Sequence, residues 1–88
     1  MKVKIELFGA SRDFSSHNSL DLNLNNNSTI KDIRNELINY LDEKFNGNEG
    51  YKKIVNSSAF CSNDNIISDN YKITNKEKIA IIPPIGGG

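Results

Sequence analysis

Residues 78–88 read Lys-Ile-Ala-Ile-Ile-Pro-Pro-Ile-Gly-Gly-Gly, and they carry the strongest local pattern in the chain. The segment from Lys78 to Ile82 is β-branched and apolar on both faces, which favours a strand buried in the middle of a sheet. Proline has no amide donor and a fixed φ, so Pro83 and Pro84 end the sheet pairing and direct the chain outward. The stretch therefore predicts a central strand followed by an extended tail.

The tail, residues 83–88, ends in three glycines, which carry no side chains. Such a tip can enter a channel too narrow for a Cβ and adopt backbone angles closed to other residues. We therefore predict a folded domain, residues 1–82, and a tail that inserts into the active site of a partner protein. The residues predicted to enter that site ahead of Gly88 are Pro83, Pro84, Ile85, Gly86 and Gly87. Glycine runs are more often flexible filler, but the apolar strand and paired prolines directly before this one make the functional interpretation more specific.

Alternating apolar residues predict two strands near the N-terminus, because side chains of a strand point to opposite faces in turn. The first strand carries Val3, Ile5 and Leu7, and the second carries Leu20, Leu22 and Leu24. Further along, Ser58 to Ser62 predicts a short third strand, followed by Asn-rich turn residues and the apolar pair Ile66-Ile67.

A helix is predicted to begin after Thr29, whose hydroxyl can cap a first-turn amide, with Asp32 placed where negative charge favours a helix N-terminus. Its apolar stripe consists of Ile30, Ile33, Leu37 and Leu41. Gly47 and Gly50 are expected to end it, and Tyr51 to Val55 is too short and mixed to assign. Two strands, one helix and at least two more strands predict an α+β domain with the helix across one face of a mixed sheet.

Composition excludes several classes of function. The 88 residues suffice for one small domain, and 11 basic against 11 acidic residues leave no basic field for nucleic acid or an anionic membrane. The longest apolar run, residues 79–82, is too short to cross a bilayer, so we expect a cytoplasmic protein. One cysteine allows no internal disulfide, and no second cysteine or His-rich cluster points to a metal site.

Three stretches carry a resemblance to a known family. Residues 83–88 after an apolar strand resemble the C-terminus of molybdopterin synthase small subunits, which are sulfur carriers of the MoaD/ThiS ubiquitin-like family. Residues 5–14 are similar to that family's first strand and turn, and residues 29–33 to the start of its long helix. The resemblance implies the β-grasp fold of ubiquitin, in which the first and last strands lie side by side at the centre of the sheet.

The resemblance also implies a mechanism. An E1-like activating enzyme would use ATP to adenylate Gly88, and a sulfur donor protein would supply the sulfur that converts it to a thiocarboxylate. The tail would then enter the large synthase subunit and donate sulfur to the cyclic pyranopterin precursor of molybdopterin. This chain would bind no permanent cofactor and would not be catalytic alone. The assembly is expected to be a heterotetramer, docked through an exposed apolar patch on the sheet.

One departure from the family concerns the turn before the last strand, where Asn75-Lys76-Glu77 stands in place of a common Gly-Asp. Asparagine tolerates positive φ better than most residues, so Asn75 is expected to make that turn. Cys61 is interpreted as a small, buried, inert side chain, and His17 as a solvated one. Lys76 and Lys78 are interpreted as solvated charges.

Two alternatives stay open at the level of sequence. A sister carrier for thiamine, cysteine or tRNA thiolation would share the terminal Gly-Gly and its activation, although the paired prolines and the length argue against the thiamine carrier. A ubiquitin-like interaction module, in which the glycine tail is idle, is a rival from a different class.

Overall fold

A computed structural model describes residues 1–84 of the chain. This part contains five strands, two α-helices and a 3₁₀ helix at Gly9–Phe14. In chain order the strands and α-helices are β1 (Lys2–Leu7), β2 (Ser19–Asn23), α1 (Ile30–Lys44), α2 (Glu49–Ser57), β3 (Ala59–Ser62), β4 (Asn65–Ile67) and β5 (Ile79–Ile82). None of the helices within residues 1–84 has the length and apolar character needed to cross a lipid bilayer.

The strands form one mixed sheet in the order β2-β1-β5-β3-β4. Strand β1 pairs with β5 in parallel, with Ile5 opposite Ile79 and Leu7 opposite Ile81. The pairings β1–β2, β3–β5 and β3–β4 are antiparallel. The prediction that the first and last strands lie side by side at the centre of the sheet is therefore confirmed.

Helix α1 covers one face of the sheet, as its apolar stripe predicts. Ile30, Ile33, Leu37 and Leu41 are each 0% exposed and pack in the core with the inward residues of the strands. The predicted N-cap is confirmed: the Thr29 amide donates to Asp32 Oδ2 at 2.8 Å, and the Asp32 amide donates to Thr29 Oγ1 at 3.4 Å. This reciprocal pair satisfies amides that have no partner inside the helix.

The end of α1 differs in detail from the prediction. The helix stops at Lys44, and Asn46 and Gly47 reverse the chain with φ of 53° and 71°. Gly50 terminates nothing, because it lies in the first turn of α2. The Asn48 side chain starts that second helix by accepting a hydrogen bond from the Tyr51 amide at 3.0 Å.

The unassigned segment, residues 51–55, forms most of α2. Val55 is 0% exposed, and Tyr51 joins an aromatic cluster with ring centroids 5.3 Å from Phe14 and 5.1 Å from Phe45. These partners come from the 3₁₀ helix and from the residue after α1, so tertiary contacts stabilise this short helix.

One difference concerns the outer face of β5, which was expected to be buried. Ile79 and Ile81 point into the core and are 0% exposed, whereas Ile82 on the opposite face is 36% exposed and Ala80 is half-buried. Both α-helices contribute their buried side chains to the one core, so no second layer within residues 1–84 covers the other face. The predicted two-sided burial is therefore wrong for this face.

A second difference concerns the turn before β5. Asn75 is not among the residues with positive φ, so it does not serve as expected. Instead the Glu77 carboxylate accepts hydrogen bonds from Ser62 Oγ, from Tyr71 Oη and from the Thr74 amide, the last at 2.6 Å. This carboxylate fastens the segment between β4 and β5 to strand β3.

Arg34 joins four parts of the fold through a single side chain. Its Nε donates to Asp69 Oδ1 at 3.0 Å, and its Nη1 donates to the Val55 carbonyl oxygen at 2.6 Å. The guanidinium carbon lies 4.8 Å from the ring centroid of Phe60, which is 0% exposed. The planar guanidinium makes all these contacts at once, which an ammonium group cannot.

We predict that Arg34→Lys lowers the free energy of unfolding by about 2 kcal/mol, because charge-assisted hydrogen bonds and the stacking on Phe60 are lost together. Urea denaturation followed by circular dichroism measures the change. Arg12→Lys, at an exposed residue of the 3₁₀ helix, is the matched control. Equal stability of the two variants would show that Arg34 does not join these elements.

We also predict that Glu77 gives the fold a sensitivity to acid. Burial raises the pKa of the Glu77 carboxyl, but the hydrogen bonds from Ser62, Tyr71 and Thr74 outweigh burial and hold the pKa below its ordinary value. The pKa of Glu77 is therefore lower in the folded protein than in the unfolded chain. Ionised Glu77 stabilises the fold fully at pH values above its unfolded pKa, and this stabilisation is lost as the pH falls through its folded pKa.

Thermal unfolding across the acidic range measures this effect. The melting temperature of Glu77→Gln should fall less between neutral and acidic pH than that of the natural protein. Glu43→Gln, at an exposed residue of α1, is the control, and its melting temperature should fall as much as that of the natural protein. Parallel acid curves for Glu77→Gln and the natural protein would rule out the assigned role.

Candidate functional site

The root of the predicted tail is held against the body of the protein. Pro83 is buried and Pro84 is exposed. A Cβ placed on Gly9 would lie 3.9 Å from Cδ and Cγ of Pro83, so the start of the 3₁₀ helix lies near the first proline. The other predicted site residues, Ile85, Gly86, Gly87 and Gly88, lie outside the described residues, and the domain division after residue 82 stays a prediction.

The turn after β1 fixes Phe8 beside this root. Ser11, 0% exposed, donates its hydroxyl to the Phe8 carbonyl oxygen at 2.6 Å and accepts from the Phe8 amide at 3.0 Å. Gly9 takes a φ of 54°, which glycine adopts without the steric cost of a Cβ. Together these features leave the Phe8 side chain 39% exposed.

The uncovered face of the sheet is largely apolar next to the tail root. Register places Glu6 beside Ala80, Ala80 beside Cys61, and Cys61 beside Ile66 across four strands. Ile82 lies beside Ala59 one step further along. We call the apolar members of this face the outer patch; it consists of Phe8, Ala59, Cys61, Ile66, Ala80 and Ile82.

Exposure makes the outer patch a candidate docking surface. Phe8 is 39% exposed, Ile82 36% and Ile66 76%. Single exposed apolar residues are normal on a protein surface, but a contiguous exposed apolar group is typical of an interaction site. The patch is continuous with the tail, because Ile82 directly precedes Pro83.

A hollow of about 180 Å³ opens within the outer patch. Ala80 and Cys61 line it together with three charged residues, Glu6, Asp64 and Lys78. The small side chain of Ala80 leaves room at the middle of the sheet. Asp64 reaches the hollow from the β3–β4 turn, where it and Asn63 take positive φ.

The structure places Cys61 differently from the buried position that its sequence predicted. The side chain is half-buried on the outer patch, and the predicted burial is wrong, because strand alternation sends Phe60 and Ser62 to the core instead. His17 is exposed, as are Lys76 and Lys78. Within residues 1–84 no group of three His, Cys, Asp or Glu side chains is placed to hold a metal ion.

Sequence reasoning predicted an exposed apolar patch but did not identify its residues. For Phe8 the signal was present, since Lys2, Lys4 and Glu6 occupy the outward positions of β1 and Phe8 continues their phase. For Ala80 and Ile82 the sequence holds no such signal, because an apolar strand has the same sequence pattern whether or not a second layer covers its outer face.

Comparisons with known proteins agree with this architecture. SAMP1 from Haloferax volcanii superposes with a TM-score of 0.70 at 14% identity, over 100% of both chains. A Pyrococcus furiosus protein assigned as molybdopterin converting factor subunit 1 superposes with a TM-score of 0.70 at 21% identity, over 96% of this chain and 98% of that one. At these identities the likeness shows the fold alone.

A third structure is more similar in sequence. It is a Helicobacter pylori complex of subunits 1 and 2 of molybdopterin-converting factor, matched at 26% identity and a TM-score of 0.58 over 100% of both chains. No curated protein matches the chain in sequence. The profile of the ThiS family matches residues 5–88. The chain therefore belongs to the ThiS family, and its five-stranded sheet with a helix across one face is the ubiquitin-like β-grasp fold.

Proposed function

We propose that this protein is the sulfur-carrying small subunit of molybdopterin synthase and that Gly88 carries the sulfur as a thiocarboxylate. The observation that carries the proposal is the likeness, at 26% identity over both full chains, to a Helicobacter pylori structure that joins subunits 1 and 2 of molybdopterin-converting factor. The same likeness favours this pathway over thiamine, cysteine or tRNA thiolation.

The chemistry needs two steps, because a free carboxylate is a poor electrophile. First, a Gly88 carboxylate oxygen attacks the α-phosphorus of ATP on an E1-like enzyme, which releases pyrophosphate and forms an acyl-adenylate. Next, a sulfide equivalent that the donor protein releases as hydrosulfide attacks the acyl carbon, and AMP leaves. The product is a thiocarboxylate at Gly88.

Sulfur delivery takes place in the large subunit. Two thiocarboxylates in turn donate sulfur to the cyclic pyranopterin precursor. In each transfer a carbon of the precursor gains the bond to sulfur, and water hydrolyses the acyl–sulfur bond, which returns Gly88 to its carboxylate. The dithiolene of molybdopterin results. The large subunit supplies the acid-base and substrate-binding groups, and this chain supplies the sulfur and the docking surface. We propose a heterotetramer with one carrier at each end.

The outer patch is the proposed docking surface for the large subunit. It lies beside the root of the tail, so a partner bound there meets the tail where it leaves the domain at Pro83. The fixed root at Pro83 and Gly9 supports this arrangement, since it limits where the tail begins. Preorganisation of that kind reduces the entropy lost on insertion.

We predict that deletion of Gly88 abolishes thiocarboxylate formation and leaves the fold intact. After incubation with ATP, the E1-like enzyme and a sulfur source, intact mass should rise in the full chain by the replacement of one oxygen by sulfur. The shortened chain should show no rise, while its thermal unfolding matches that of the full chain. A sulfur adduct on the shortened chain would place the reactive atom elsewhere.

We predict that Phe8→Ser weakens binding to the large subunit about tenfold or more, because central aromatic residues contribute most of the binding energy of interfaces. Isothermal titration calorimetry with the cognate large subunit measures the change. Lys44→Ser, at an exposed residue of α1 outside the outer patch, is the control and should bind normally. Normal binding of Phe8→Ser would show that the outer patch is not the docking surface.

A further inference from the structure

Glu6 is a charged residue at the end of an apolar row, between Ser19 of β2 and Ala80 of β5. It lies beside Ala80 in the register, with Cys61 one strand further on, and its side chain is half-buried. Within residues 1–84 its carboxylate makes neither an ion pair nor a hydrogen bond.

Docking would remove water from this carboxylate. A buried charge without a partner is costly, whereas a charge paired across an interface stabilises the complex and discriminates against wrong partners. A partner that covers the outer patch therefore needs a group that can pair with the Glu6 carboxylate.

We propose that the large subunit places one long basic side chain, an arginine or a lysine, in the hollow of the outer patch, with its cationic group against Glu6. This inference rests on the proposed function and specifies how its docking surface selects a partner. Glu6 is then the residue that makes docking specific for a partner of complementary charge.

The shape of the hollow fits such a side chain. Its volume of about 180 Å³ suits one side chain rather than a loop or a helix. Phe8, Ala80 and Ile82 offer apolar surface for the methylene stem, and the Phe8 ring can also face the cation.

The charges around the hollow also favour a cation. Two carboxylates, Glu6 and Asp64, line it against one ammonium group, that of Lys78. Lys78 does not approach either carboxylate within ion-pair distance in the free protein. A partner's cation therefore meets two carboxylates and one ammonium group in this hollow, while Lys4 and Arg12 line a neighbouring hollow that Glu6 also borders.

Calorimetric titration of the full chain with the cognate large subunit tests the inference. Glu6→Gln keeps the shape of the side chain and removes the charge, and it should bind about tenfold more weakly or worse; Glu6→Lys should bind more weakly still. Added sodium chloride should weaken binding of the natural protein more than that of Glu6→Gln. Glu43→Gln, on exposed α1, should bind like the natural protein.

A double-mutant cycle identifies the cation. Each basic residue of the large subunit is changed to alanine and combined with Glu6→Gln, and one of them should show a loss that is not additive with the loss of Glu6. Lys78→Gln in this chain should couple to Glu6 less strongly than that residue does.

The outcomes separate the inference from the function on which it rests. If Glu6→Gln binds with full affinity while Phe8→Ser binds weakly, no partner cation pairs with Glu6, but the outer patch is still the docking surface. If Glu6 couples only to Lys78, the proposed pairing with the large subunit is also wrong, because Glu6 would then pair with a residue of its own chain. Absence of any binding by the natural protein would overturn both proposals.

Discussion

The parallel pairing of β1 with β5 is the constraint on which the rest of the molecule depends. It joins strands 72 residues apart in sequence, counted from Leu7 to Ile79, and it places Ile5 beside Ile79 and Leu7 beside Ile81 in the core. Continued past the sheet, the same pairing brings the turn at Gly9 against Pro83. The root of the tail and the exposed Phe8 are therefore neighbours because the two central strands are neighbours. A long-range parallel contact of this kind carries a high loop-closure cost, which the buried isoleucines offset.

The sheet is covered on one side within residues 1–84. The apolar stripe of α1 and the buried face of α2 contribute to a single core, and no second layer in this part of the chain covers the opposite face. The opposite face of the central strands carries apolar side chains although it is exposed to water. A partner that binds this face completes burial that the domain alone leaves unfinished, and the charge on Glu6 restricts which partner can do so.

Much of the fold was readable from local pattern, and its exceptions have physical causes. Alternation identified β1, and the Thr29–Asp32 pair identified the start of α1, because strand phase and helix capping depend on neighbours in sequence. Helix α2 escaped assignment because its stabilising aromatic partners, Phe14 and Phe45, come from elsewhere. The turn expected at Asn75 depends instead on Glu77, whose hydrogen-bond donors include Ser62, 15 residues earlier. For the site, the order of prolines and glycines predicted the tail, whereas the outer patch required knowledge of which sheet face stays uncovered.

The central claim is that sulfur leaves Gly88 for a pterin in the large subunit, and a single-turnover experiment tests it most directly. Thiocarboxylated protein is mixed with the large subunit and the cyclic pyranopterin precursor, and intact mass follows the carrier while the dithiolene product is quantified. The account predicts that the carrier returns to its carboxylate mass only when both additions are present, with two carriers consumed for each dithiolene formed. Retention of the sulfur on the carrier when both additions are present, or its release only to a different acceptor, would contradict it.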